Sequence, residues 1–220
     1  MTREKKGERK MKKNTADDQV TQQIIPAPKI ETASFKIKGT APYMQARFSE
    51  KTQNMLKEKM SSQQTGKAKK NREARDFDAD VENAKHISVE GWCGIPASAF
   101  RAAMISACRL VGFKMTLAKL SIFVPADGYD KIDGQPLIKI EGKPERCDLP
   151  VRNATGVMDI RARPLWREWT ATVSIKYDTQ QFSRGDVQNL LARVGLQVGV
   201  GEGRPDSRMS AGLGYGLFEI

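Results

Sequence analysis

Apolar and polar residues alternate along several stretches of this chain. In Ser34-Phe35-Lys36-Ile37-Lys38-Gly39, two apolar residues sit between charged neighbours and glycine ends the run, which predicts a half-covered strand. The clearest strand is Trp169 to Tyr177: Trp169, Ala171, Val173, Ile175 and Tyr177 fall on one side, and Thr170, Thr172, Ser174 and Lys176 on the other. Met158 to Arg163 alternates too, with its charges on one side. Leu120 to Val124 and Pro136 to Ile140 read as two further strands.

Other stretches carry the helical period. Phe100, Met104, Ala107, Cys108 and Val111 recur on one face, predicting a helix over Ile95 to Val111 with Pro96 near its start and Ser98 as cap. A second helix is expected from an N-cap at Ser183, with Val187, Leu190, Leu191 and Val194 as its apolar face and Gly195 as terminator. Weaker patterns predict helices at 49–60, capped by Ser49, and at Asp76 to Lys85. The chain closes on a short strand, Leu217 to Ile220. The well-supported elements run strand, helix, strand, strand, helix, strand. This is the split βαβ, or ferredoxin-like, order: an α+β fold with an antiparallel sheet and two helices on one face. Another α+β sandwich is the rival. Strands around 136–163 would then project as a hairpin.

Composition changes the picture at the ends and in the middle. Residues 1–30 are polar and include seven basic residues among the first thirteen, so they read as a disordered basic arm. Residues 31–220 read as one domain, interrupted at about 61–75 by the basic stretch SSQQTGKAKKNREAR. Lys plus Arg number 37 against 26 Asp plus Glu, a net charge of +11. Clustered positive charge favours a polyanionic partner, because binding releases counterions. No run approaches the ~20 apolar residues of a membrane span. The basic N-terminus lacks the apolar core of a signal peptide. The three cysteines match no zinc spacing. A bacterial cytoplasm is the expected location, with no membrane partner.

Candidate chemistry is sparse. One histidine, His86, leaves no His-based triad and no two-histidine zinc site within one chain. Asp127, Asp130 and Asp133 recur every third residue, a spacing that suits either a solvated turn or a cation loop. No catalytic residue, metal site or cofactor is expected, and the protein is not expected to be an enzyme. Seven glycines fall between Gly195 and Gly216, with Arg204 and Arg208 embedded among them. Gly201 and Gly203 with these arginines make a candidate phosphate cradle; a flexible loop before an edge strand is the alternative. Arg161 and Arg163 share one strand face close to Trp166, a pairing suited to phosphate contact and base stacking. Lys67, Lys69, Lys70, Arg72 and Arg75 of the basic stretch complete the candidate nucleic-acid-binding set.

A first strand ending in glycine and a glycine-rich segment with arginine before the last strand, Gly199-Val200-Gly201-Glu202-Gly203-Arg204-Pro205 through Gly212-Leu213-Gly214-Tyr215-Gly216-Leu217-Phe218, resemble the RAMP superfamily. Its members are ferredoxin-like, RNA-binding backbone subunits of CRISPR effector complexes. Over roughly residues 35–220 the chain also resembles a family of proteins of tailed phages and prophages, on the phrases IKGTAPYMQARFSEK (37–51), GIPASAFRAAMISACRLVGFKMT (94–116) and VGVGEGRPDSRMSAGLGYGLFEI (198–220). The resemblance implies a protein that binds single-stranded DNA or RNA through its backbone. It would oligomerise along that ligand, in phage replication or recombination (protection or annealing) or as a guide-RNA backbone. The alternative expectation is a virion or assembly protein.

Overall fold

The computed structural model describes residues 26–47, 75–152, 156–207 and 212–220. The expected arm, the helix at 49–60 and most of the basic stretch lie outside these residues. The described elements are β1 (Ile30–Gly39), β2 (Tyr43–Met44), α1 (Phe77–Asn83), β3 (Gly94–Pro96), α2 (Ala97–Ala107), α3 (Met115–Ser121), β4 (Ile122–Phe123), β5 (Gly128–Tyr129), β6 (Pro136–Glu141), β7 (Pro144–Arg152), β8 (Met158–Trp166), β9 (Thr170–Asp178), α4 (Arg184–Arg193) and β10 (Phe218–Glu219). The fold is mixed, with antiparallel sheets and four α-helices among the described residues. None of these helices is long and apolar enough to cross a membrane.

The main sheet runs β10-β1-β9-β6-β3. β9 is its centre. Along its whole length one edge pairs with β1, placing Phe35 opposite Val173 and Ile37 opposite Ala171. Its other edge is shared: β6 pairs at Thr170 and Ala171, β4 at Lys176 and Tyr177. Two-residue periodicity sends Ala33, Phe35 and Ile37 of β1 and Ala171, Val173, Ile175 and Tyr177 of β9 into one core, where they join Phe100 and Met104 of α2 and Val187 and Leu191 of α4. The alternate residues Thr32, Ser34, Lys36, Lys38, Thr172 and Lys176 are exposed on the opposite side.

A second sheet, β2-β8-β7, is built on a long hairpin. Nine residue pairs join β7 to β8, from Pro144 opposite Trp166 to Arg152 opposite Met158. Near its far end Val157, Met158 and Ile160 are exposed. α1 packs on β8, where the Phe77 ring lies between the guanidiniums of Arg75 and Arg146, each 5.4 Å from its centroid.

Several expectations need correction. Leu120 and Ser121 close α3 rather than opening a strand, and only Ile122 and Phe123 pair with β9. Leu120 is exposed, so the apolar run 120–124 does not form one buried face. The helix expected over Ile95 to Val111 is shorter: Ile95 belongs to β3, Pro96 rather than Ser98 occupies the cap position, and Cys108–Val111 tightens into a 3-10 turn. Gly195 does not end α4. The helix continues as a π turn, Val194–Val198, and ends at Gly199 with φ +71°. A side chain at Gly195 would meet the Phe218 carbonyl at 2.1 Å, so this glycine serves the approach of β10.

Candidate functional site

The described parts of the glycine-rich segment after α4, up to Ser207 and from Gly212, are folded tightly against the molecule. Gly201 and Gly203 have φ +85° and +77°, the left-handed region that glycine enters without strain. What approaches Gly201 is the protein itself: a Cβ there would meet the Met44 carbonyl and the Tyr43 ring at 2.5 Å. Gly203 lies against Tyr215 and Leu213, and its carbonyl accepts from the amides of Leu213 and Tyr215. The segment is anchored to the end of α2 as well. The Ser106 hydroxyl donates to Asp206 and Arg109 pairs with it at 2.8 Å, and together they hold this carboxyl below the usual range. A flexible linker is therefore the wrong description. Close packing on the chain's own backbone accounts for glycine at these positions.

The structure brings two of the sequence-derived groups together here. Arg163 on β8 donates to Glu202 of the glycine segment at 2.9 Å, joining the Arg161–Arg163 face to the Arg204 turn. Arg204 is half-buried and donates one Nη1 bond to the Gly201 carbonyl at 3.0 Å. Arg161, two residues from Arg163 on the same strand face, has no carboxylate partner among the described residues. The pairing differs elsewhere. Arg75 is held by Asp80 and Asp159, Arg146 by Asp78 and Asp148, and Arg167 by Glu145. Such neutralised guanidiniums have less to offer a phosphate than Arg161 and Arg204. Lys67, Lys69, Lys70, Arg72 and Arg208 lie outside the described residues.

Trp166 is a correction. The base-stacking role suggested by its place beside Arg161 and Arg163 needs an exposed ring, yet Trp166 is 0% exposed. It packs 5.5 Å from the Tyr43 ring, under the strand pairing of β2 with β8. Trp169 is core, as its place in the alternating stripe implied. The half-buried tryptophan is Trp92, which periodicity did not single out. It sits in the short glycine-flanked stretch Gly91-Trp92-Cys93-Gly94, on the exposed side of the sheet. That side also presents Lys36, Lys38 and Lys176 among serine and threonine hydroxyls, and the Ser34 and Ser174 hydroxyls are hydrogen-bonded across the strands at 2.9 Å.

His86 and Asp130 turn inward, while Asp127 and Asp133 stay exposed. His86 is buried, with Nδ1 2.9 Å from Asp130. Asp130 is fully buried and accepts from the Ile132 amide, so it departs from the solvated turn, whereas Asp127, which accepts from the Lys139 amide, and Asp133 are exposed as in such a turn. Burial alone would raise the Asp130 pKa. The Ile132 amide, His86 and Arg47 outweigh it and hold the carboxyl below its ordinary value. His86, Asp130 and Asp133 bring ligand atoms within 4.8 Å of one another, as a metal site would. The Arg47 guanidinium lies 3.4 Å from Asp130 and 3.6 Å from Asp133 and supplies positive charge at that place. Burial pushes the thiols of Cys93 and Cys108 up, away from the thiolate form.

No protein-family model matches the sequence. No curated protein matches it either.

Proposed function

We propose that this protein binds single-stranded nucleic acid, DNA or RNA, through its sugar-phosphate backbone, and that it is a binding protein rather than an enzyme. The observation that carries the reading is the open side of the main sheet. Lys36, Lys38 and Lys176 stand there without a close ion pair among the described residues, with Glu219 opposite Lys38 across the strands and with hydroxyls around them that can donate to phosphate oxygens. Arg161 and Arg204 extend the same chemistry to β8 and the glycine segment. The net charge of +11 supports a polyanionic partner.

The strand pairing supports the ferredoxin-like reading. Taking β1, the β4/β6 edge, β9 and β10 as the four strands, their order across the sheet is fourth, first, third, second, with every neighbour antiparallel. With α2 and α4 both contributing to the core beneath β1 and β9, the opposite side is left for a ligand. The inward-turned His86 and the raised thiols support the non-enzymatic reading. On this view the protein oligomerises along its strand in a bacterial cytoplasm. Its role would lie in phage replication or recombination, or as a CRISPR-like guide-RNA backbone related to the RAMP superfamily.

The test is an electrophoretic shift with single-stranded DNA, duplex DNA and RNA of matched length at two salt concentrations. Binding to single strands that weakens steeply with salt is expected; no shift with any of the three at low salt rejects the reading. A second reading, a phage virion or assembly protein, is favoured by exposed Val157, Met158 and Ile160 on the projecting hairpin, since clustered exposed apolar residues mark protein contacts. It predicts large particles that elute with a protein-like absorbance ratio, free of nucleic acid.

A further inference from the structure

We infer that Trp92 is a base-stacking platform on the open side of the main sheet. The inference rests on the nucleic-acid reading above and names the residue that would hold a base. Gly94 on β3 pairs with Lys139 of β6, and Gly128 on β5 pairs with Leu137. Directly paired residues share a face, so both glycines lie on the side of the sheet that Lys139 occupies. There the indole rests on the two glycines: a Cβ on Gly94 would meet its Cζ3 at 3.0 Å, and one on Gly128 would meet its Cζ2 at 2.6 Å. Leu137, which points away from the main core, is fully buried on this side, and its Cβ lies 2.8 Å from the same Gly94 Cβ position that the ring approaches.

One side of the indole is thus seated on backbone, and the ring borders an open groove with Glu90, Asp127, Lys139, Glu141 and Thr172. The Nε1 donates to Glu90 at 2.6 Å, which fixes the ring in its plane. A rigid aromatic face suits an unstacked base, since every base has a π-face and stacking tolerates sequence. The carboxylates around the groove are acceptors for the amino groups that cytosine and adenine carry. Lys139 in the groove, with Lys36 and Lys38 on β1 beyond the intervening β9, provides cations for the flanking phosphates. A small hydrophobic side chain at 92 would serve to cover Leu137; an indole over two glycines offers a flat surface as well.

The three tryptophans make this directly readable. Trp166 and Trp169 are 0% and 3% exposed, so a stacked base can quench only Trp92. The experiment titrates the full chain with a cytosine-rich single strand and with an abasic deoxyribose-phosphate strand of equal length, following tryptophan emission and, separately, anisotropy of a labelled strand. The base-bearing strand is expected to quench wild-type emission, and the abasic strand to bind without quenching. Trp92→Leu is expected to weaken the base-bearing strand about 5- to 100-fold, within the range for loss of a stacked aromatic. Affinity for the abasic strand should stay unchanged, and Trp92→Phe should recover part of the loss. Binding without quenching, or equal affinity of wild type and Trp92→Leu for the base-bearing strand, overturns the platform and leaves the nucleic-acid reading standing. Failure of wild type to bind either strand overturns both. If Trp92→Leu also loses the abasic strand through misfolding, the decision passes to wild-type quenching and Trp92→Phe: quenching with a weakened phenylalanine variant supports the platform, and absence of quenching rejects it.

Discussion

Asp130 shows how much one buried side chain organises. Its carboxylate accepts from the Ile132 amide, faces His86 and balances Arg47, whose own Nε and Nη2 have no well-aligned hydrogen bond. Asp130→Asn removes the charge and leaves Arg47, among the described residues, with the more distant Asp133. The cost expected for breaking a buried pair is about 3–5 kcal/mol, measurable by urea denaturation. The folded carboxyl has a lowered pKa, so its stabilisation is complete above the unfolded value of about 3.9 and is lost as pH falls through the folded value. The melting temperature of wild type should therefore hold from neutral pH down to about 5 and drop below about 4, and Asp130→Asn should flatten that drop. Gly216 makes a different point. It has φ +70°, and a Cβ there would meet the Val200 carbonyl at 1.8 Å. Gly216→Ala is expected to destabilise by at least ~1–3 kcal/mol, because strain and overlap add. A melting temperature equal to wild type would show that the segment is not packed as described. The same logic bears on Gly203: Gly203→Val should lower stability regardless of any ligand, so Arg204→Ala is the cleaner probe of binding.

Among the elements, α4 was the most legible. Ser183 caps it through a reciprocal box with Asp186, whose amide donates to the Ser183 hydroxyl at 3.1 Å while its carboxylate accepts from the Ser183 amide at 2.9 Å. Ser183→Ala is expected to cost about 0.5–2 kcal/mol without altering binding, seen as a lower denaturation midpoint at unchanged m-value. The apolar face Val187, Leu190, Leu191 and Val194 could be read from spacing because a helix packed on one side must carry that period. The stretch 120–124 was misread for the opposite reason. Short apolar runs fit a strand and a helix end equally, and only the pairing of Ile122 with Tyr177 separates them. The β7–β8 hairpin alternates cleanly, but nothing in its pattern says that β2 completes its sheet, since two residues are too few to carry a period.

At the scale of the whole molecule, the basic excess matters through which cations remain unpaired. Arg161 is the guanidinium nominated from sequence that the described structure leaves without a carboxylate, and Arg204 acts on the Asp206 carboxyl by charge without pairing closely with it. Arg161→Ala and Arg204→Ala should each reduce affinity for a single strand by about 1–3 kcal/mol and the log–log salt slope by ~0.7, with an unchanged melting temperature for Arg161→Ala and a small drop for Arg204→Ala, which loses its bond to the Gly201 carbonyl. Arg146→Ala, which removes a guanidinium already paired with Asp78 and Asp148, should leave the slope unaltered. Equal effects of all three substitutions would mean that total charge rather than placement governs binding. That distinction was invisible in the composition, where every arginine counts alike.

What the amino-acid sequence by itself determined is the set of local periods: the inward faces of β1 and β9, the core face of α2 from Phe100 to Cys108 though not the exposed Val111, the cap and face of α4, and the glycines that only a left-handed backbone or a close approach requires. These are properties of neighbours in the chain, and elementary geometry reads them. The tertiary structure decided everything that depends on partners distant in sequence. Met44 and Tyr43 occupy the space beside Gly201, 157 and 158 residues away by chain number. Trp166 is buried because β2 pairs over it, and Asp130 because Arg47 and His86 meet it from elsewhere. Trp92 lies on the open side because Gly94 and Gly128, in different strands, leave room for its ring. A side chain's exposure is set by what folds against it, and no pattern confined to its own strand or loop contains that information.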